Sequence, residues 1–135
     1  PGPVPVVGAK KSVGRKISAG PLIKLEAVQA LLRSGAFDMD QLWLATEKCE
    51  KDLQKESWST SDVLQMLVDM DGKDDYYKSE WCEVLGDRLV PCDVYRTPYD
   101  AVHKRRHAKG LLVYIKFSIE EDGVLTIALV SCHAA

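Results

Sequence analysis

Residues 74–81 read DDYYKSEW, with Lys78 set between two tyrosines and a serine, just after an acidic run and just before the sequence rhythm changes. A second phenol and ammonium occur in VYIK, where Tyr114 and Lys116 are spaced to share one face of a strand. That face reads Leu112, Tyr114, Lys116 and Ser118, while the opposite face is wholly apolar, with Val113, Ile115, Phe117 and Ile119. Such a strand presents either an active face or a plain solvent face. Charge is also segregated along the chain: most acids lie in 38–93, whereas 94–119 holds Arg96, Lys104, Arg105, Arg106, Lys109 and Lys116 against a single acid, Asp100. A locally cationic stretch is a solvated loop or a seat for a polyanion, and composition does not choose between them.

The chain has 135 residues, 46% of them hydrophobic and 28% charged, with a formal net charge of -2. Length and composition suit one globular domain with its own core. No apolar run approaches the roughly 18 residues needed to span a bilayer. PGPVPVVGAKK carries its charges after a proline-broken apolar stretch, opposite to a secretory signal, so a soluble cytoplasmic protein with no membrane partner is expected. Cys49, Cys82, Cys92 and Cys132 form no CxxC pair and no zinc spacing, and read as reduced, mostly buried thiols. His103 and His107 have no evident third ligand and read as a surface pair, so no metal or cofactor is expected.

Positioning these groups falls to the elements around them. Residues 1–20, rich in Pro, Gly and Val with Lys10, Lys11, Arg15 and Lys16, show no period and read as a flexible or extended basic arm; 21–135 read as a single domain. Leu25, Val28, Leu31 and Leu32 predict a helix ending near Ser34, with Pro21 in its first turn and Gly35 as its cap. Phe37 and Met39 alternate like a short strand, after which Leu42, Ala45, Cys49 and Leu53 recur at helical spacing. Ser59 with Asp62 resembles a capping box opening a third helix, whose buried stripe is Val63, Met66, Leu67 and Met70. After Gly72 come YYKSEWCEVL, DRLVPCDVYRT, GLLVYIKFSI and VLTIALVSC, all with strand character. Helices first and strands after predict an α+β fold, with N-terminal helices packed on an antiparallel β-meander. Within TPYDAVHKRRHAKG, Thr97, Pro98 and Asp100 suit the start of a short helix carrying His103, Arg106 and His107 on one face. A two-residue turn at Asp122 and Gly123 would put His133 on the face of Tyr114, and an odd loop would turn it away. Cys132 then faces opposite to His133, so the two form no catalytic dyad.

DVLQMLVDMDGKDDYYKSE, CDVYRTP, VYIKFSI and VLTIALVSCH, in this order and spacing, resemble the MqsR-type toxins, RelE-like mRNA interferases of bacterial toxin and antitoxin pairs. The resemblance covers roughly residues 22–133 and is most specific at DDYYKSE, which corresponds to the family's D[FY]YKS element, and at DVYR. It implies a RelE-like fold and a metal-independent endoribonuclease acting on single-stranded mRNA, with a cognate antitoxin as protein partner. Lys78 would then stabilise phosphorane charge or take part in proton transfer, and Tyr114 would position the scissile phosphate or stack on a base. Arg96 would add a bidentate phosphate clamp, and Lys116, Arg105, Arg106 and Lys109 would bind RNA. Where the family ends its sheet with a lysine this chain has His133, a side chain able to act as acid or base near neutrality. Where the family has a glutamine before DVYR this chain has Cys92, which lacks an amide's paired donor and acceptor. That departure keeps open a second reading, a non-catalytic RNA- or protein-binding module on the same fold.

Overall fold

Helical periodicity before Gly72 and alternation after it produce two layers. The computed structural model describes residues 14–121 and 123–135; most of the expected arm, 1–13, lies outside them, as does residue 122. Helices α1 (Leu25–Ser34), α2 (Glu47–Glu56) and α3 (Thr60–Asp69) pack against a sheet of β1 (Lys16–Ile17), β2 (Leu42–Leu44), β3 (Tyr76–Val84), β4 (Arg88–Asp100), β5 (Arg105–Arg106), β6 (Leu111–Glu121) and β7 (Leu125–Ala134). The strand order is β1-β3-β4-β6-β7-β2, with β5 added on β4. The α+β expectation holds, but the sheet is mixed, because β2 pairs with β7 in parallel. Lys16 and Ile17, at the end of the expected arm, are extended and pair with Glu80 and Ser79 of β3.

Local signals account for the helices. Ser59 and Asp62 close a reciprocal capping box on α3, and Val63, Met66, Leu67 and Met70 are all buried. Gly35 caps α1 in the left-handed region (φ 77°), where a side chain would be strained. Gln29 of α1 donates to the carbonyls of Leu67, Val68 and Met70 (3.0, 3.0 and 2.8 Å), satisfying acceptors that the end of α3 leaves open. Two boundaries differ from expectation. Pro21 precedes the helix rather than opening it, because the amides of Leu22 and Ile23 donate to the Asp93 side chain instead of entering a helical turn. Phe37 and Met39 form no strand: Asp38 caps a 3-10 turn at Met39–Gln41, and Leu42 with its neighbours goes to the sheet edge. Thr46 then starts α2 by accepting from the Cys49 amide (3.0 Å).

The main core lies between the helices and one sheet face, where Leu25, Leu53, Met66, Tyr95, Ile115 and Phe117 meet. Each fully buried large side chain of this kind contributes about 1.5–3 kcal/mol. The other face carries a smaller cluster of Ala45, Cys82, Val84, Val90, Cys92, Ala128 and Val130 at one end only. There the Leu85 amide donates to the Ala45 carbonyl (2.9 Å), so the β3–β4 hairpin meets the segment after β2.

Two register shifts determine what the remaining part of that face displays. In β3, Tyr76 stands opposite Tyr95 but Lys78 stands opposite Val94, so Tyr77 is an extra residue. Without it, strict alternation from Tyr76 would turn Lys78 toward the helices, opposite Asp93. In β7, Phe117 pairs with Leu129 while Lys116 pairs with Ser131, which makes Val130 the extra residue. The connection between β6 and β7 is odd, since Glu121 pairs with Leu125 across 122–124, and the even two-residue turn does not form. The shift at Val130 reverses the resulting change of side and brings His133 back opposite Tyr114.

Asp93, fully buried, accepts from the amides of Leu22 and Ile23 and from Ser79 Oγ (2.6 Å), tying the entrance of α1 to the strand just beyond the first bulge. Asp93→Asn replaces one acceptor oxygen with a donor that faces other donors, and it should cost roughly 2–3 kcal/mol in urea unfolding. A loss below about 0.5 kcal/mol, the range of an ordinary surface change, would show that this junction is not held by Asp93.

Candidate functional site on the open sheet face

Three adjacent strands place Arg96, Tyr114 and His133 side by side in one register row. The next row holds Lys78, Val94, Lys116 and Ser131. Tyr114 and His133 stack with ring centroids 5.0 Å apart and planes at 15°. Arg96 lies over the Tyr77 ring at 3.9 Å, and the Lys78 ammonium is 5.3 Å from the same ring. Lys116 Nζ is 5.8 Å from the Tyr114 ring. Guanidinium, two ammoniums, two phenols and an imidazole therefore share one surface, and both bulges are needed to assemble it.

Glu80 lies under this group. It is 5% exposed, and its two oxygens take Lys78 Nζ at 2.8 Å and Lys116 Nζ at 2.7 Å. Hydrogen bonding to Glu80 raises Lys78 above the ordinary lysine value against the opposing effect of burial. Burial alone would lower Lys116, but the Glu80 hydrogen bond and the neighbouring Cys82 and Tyr114 outweigh it and leave it raised. Burial likewise works against the Glu80 carboxylate, yet the bonds from Lys116 and Lys78 hold it below the usual glutamate range. Tyr114 is raised, chiefly by burial, and stays a phenol at neutral pH. Both lysines are thus fixed as ammoniums, which makes them donors and charge stabilisers rather than bases. The imidazole in the row is that of His133. Its Nδ1–H donates to the Ala134 carbonyl (2.9 Å), which leaves the lone pair on Nε2.

The cationic hairpin behaves differently from its sequence reading. Residues 97–100 continue β4 and no short helix forms, because the Asp100 side chain closes a turn by accepting from the amides of Val102 (2.9 Å) and His103 (3.1 Å). The His103 amide and ring, with the Val102 amide, hold the Asp100 carboxyl down to about 2. His103 pairs with Asp100 (2.7 Å), while the His107 ring accepts from the Lys109 amide (3.1 Å). Arg106 is bound in a fork by the 4%-exposed Asp75 (2.9 and 2.8 Å), bridging the gap between β5 and the start of β3 along one edge of β4. Lys104 pairs with Asp62. Of the cations expected to track RNA, Arg105 and Lys109 stand exposed, whereas Arg106 has a structural partner. A recess of about 370 Å³, lined in part by Asp74, Arg96, Pro98, Arg106 and Leu112, opens between the row and the hairpin.

The structure brings Lys78, Arg96, Tyr114, Lys116 and His133 together and leaves Arg105, Arg106 and Lys109 on a separate hairpin. Cys92 is fully buried in the small apolar cluster and presents nothing to the surface. Sequence reasoning missed Tyr77 and Glu80. Lys78 and Glu80, opposite charges two apart in a strand, were a usable signal for the second; nothing local announced the bulge that exposes the first. Among the described residues no group of three or more His, Cys, Asp or Glu gathers that could hold a metal ion, and no helix is long and apolar enough to cross a membrane. No family model, no curated protein and no solved structure matches this chain.

The hairpin assignment is testable by stability alone. Arg106→Gln leaves Asp75 without its forked partner and should lower unfolding stability by about 2 kcal/mol. Arg105→Gln, next to it but exposed, should stay within about 0.5 kcal/mol of the parent. Equal effects of the two substitutions in urea titrations would contradict the distinct roles.

Proposed function

We propose that this chain is a RelE-like, MqsR-type endoribonuclease that cleaves single-stranded RNA by internal transesterification and is held inactive by a cognate antitoxin. The observation that carries the reading is the row Arg96, Tyr114 and His133 with Lys78 and Lys116 beside it. Lys78 of DDYYKSE, Arg96 of DVYR, Tyr114 and Lys116 of VYIK and His133 of VSCH, each from a motif of the family resemblance, lie on this one face. His133 Nε2 takes the 2′-OH proton, the 2′-oxygen attacks phosphorus, and the bond to the 5′-oxygen breaks as the Lys78 ammonium gives that oxygen a proton, after which solvent carries the His133 proton back to Lys78. Lys78 and Arg96 neutralise the phosphorane, while Tyr114 supplies a phenolic donor and a stacking surface. The products are a 2′,3′-cyclic phosphate and a 5′-hydroxyl.

The burial of Cys92 favours a second reading, in which the same face binds RNA or a protein without cleaving. One assay separates them: purified protein incubated with a long single-stranded RNA in EDTA. The endonuclease reading expects cleavage with cyclic phosphate ends, and a strict magnesium requirement or binding without cleavage would overturn it.

Two substitutions refine the roles. Lys78→Ala should lower the rate about a hundredfold or more while RNA affinity changes little, because a contact to developing charge acts mainly in the transition state. An unchanged rate in the folded variant would make Lys78 a solvated strand residue. His133→Gln should lower the cleavage rate about a hundredfold or more while RNA affinity changes little, because a side-chain amide does not take up the 2′-OH proton. An unchanged rate in the folded variant would assign the base elsewhere.

A further inference from the structure

We infer that Glu80 is a positioning residue for this face: its buried carboxylate, gripping Lys78 and Lys116 with one oxygen each, sets two ammoniums at a fixed spacing as a paired phosphate-binding element. What the pair receives, a phosphodiester of RNA, rests on the reading above; the three-residue geometry does not.

The distances are 2.8 and 2.7 Å to a side chain only 7% exposed, whereas the lysine side chains keep 29% and 16% of their surface. The anion is thus beneath and the cations are above. Each ammonium has three N–H donors and spends one on Glu80, so the others remain for phosphate oxygens. Lys78 and Lys116 belong to different strands and stand in the same register row on either side of Val94. A bridging anion below them replaces mutual repulsion with attraction and limits the rotamers of two flexible chains. Other groups near the triad are Tyr77 and the Cys82 thiol on β3, the Cys92 thiol on β4, Tyr114 on β6 and the exposed Lys16 of β1, which stands opposite Glu80 in register. Among these, Glu80 is the carboxylate that meets both ammoniums. Its position at the border between the apolar cluster and the polar row keeps it buried, so it does not compete with an incoming anion from the solvent side.

The test reads the lysines directly, by NMR titration of their side chains in the full chain, alongside RNA cleavage in EDTA. Glu80→Gln keeps the shape and removes the charge. Lys78 and Lys116 should then titrate at lower pH than in the parent, and cleavage should fall on the order of tenfold to a hundredfold, with the deficit growing toward alkaline pH. Glu80→Asp keeps the charge and should hold the lysine titrations near the parent's, with a cleavage rate between the other two. Lysine titrations unmoved in Glu80→Gln overturn the inference. Should that variant fail to fold, the carboxyl carbon of Glu80 in the unaltered protein decides: it must remain ionised below the ordinary glutamate range, and a titration within that range overturns the inference. If the unaltered protein does not cleave RNA, the endonuclease reading falls, and the lysine titrations still decide the role of Glu80.

Discussion

The hydrogen bond from Ser79 Oγ to Asp93 (2.6 Å) holds the open face in register. It lies on the helix side, one residue beyond the bulge, and the Tyr76 hydroxyl adds to it by meeting Ser79 Oγ at 2.7 Å. A strand that slips by one residue exchanges its two faces, so pinning Ser79 inward also pins Lys78 and Glu80 outward. Asp93 accepts from Leu22 and Ile23 as well, and one buried carboxylate therefore couples the approach to α1, the pairing of β3 with β4 and the display of the cationic group. The motifs DDYYKSE and DVYR divide accordingly: Asp75, Tyr76, Ser79, Asp93 and Tyr95 build structure, and Tyr77, Lys78, Glu80 and Arg96 build the surface.

Charge that is segregated in sequence is partly paired in space. Asp75 binds Arg106, Asp62 binds Lys104 and Glu80 binds Lys116, each joining the acidic part of the chain to the basic part. These pairings place cations rather than cancel the local field. Glu80 supports two ammoniums with one carboxylate, and Arg96 rests on Tyr77, so the surface around the row keeps an excess of positive charge. The apolar half of the same face anchors this arrangement through tight packing of small side chains such as Ala45, Cys92 and Ala128.

The position of His133 illustrates how a local rule and a tertiary one combine. Alternation along β7 correctly separates Cys132, which enters the main core, from His133, which does not. The side on which His133 emerges depends on the whole hairpin: an odd connection over 122–124 and an extra residue at Val130 each change the parity, and together they restore it. The even turn expected from residues 122 and 123 would have led to the same face by a different route.

Sequence by itself determined what short-range physics controls. The capping box at Ser59, the glycine cap at Gly35, the stripe of α3 and the two faces of β6 follow from hydrogen bonds and periodicity within a few residues. Tertiary structure decided the rest, because it depends on partners far apart in the chain. The parallel pairing of β2 needs the free edge of β7, the late start of α1 needs Asp93, and the turn of the cationic hairpin in place of a helix is reinforced by the fork between Arg106 and Asp75. The bulge at Tyr77 belongs with these: its sequence looks like any alternating strand, and only pairing against β4 with Ser79 held inward makes the extra residue the lower-energy solution.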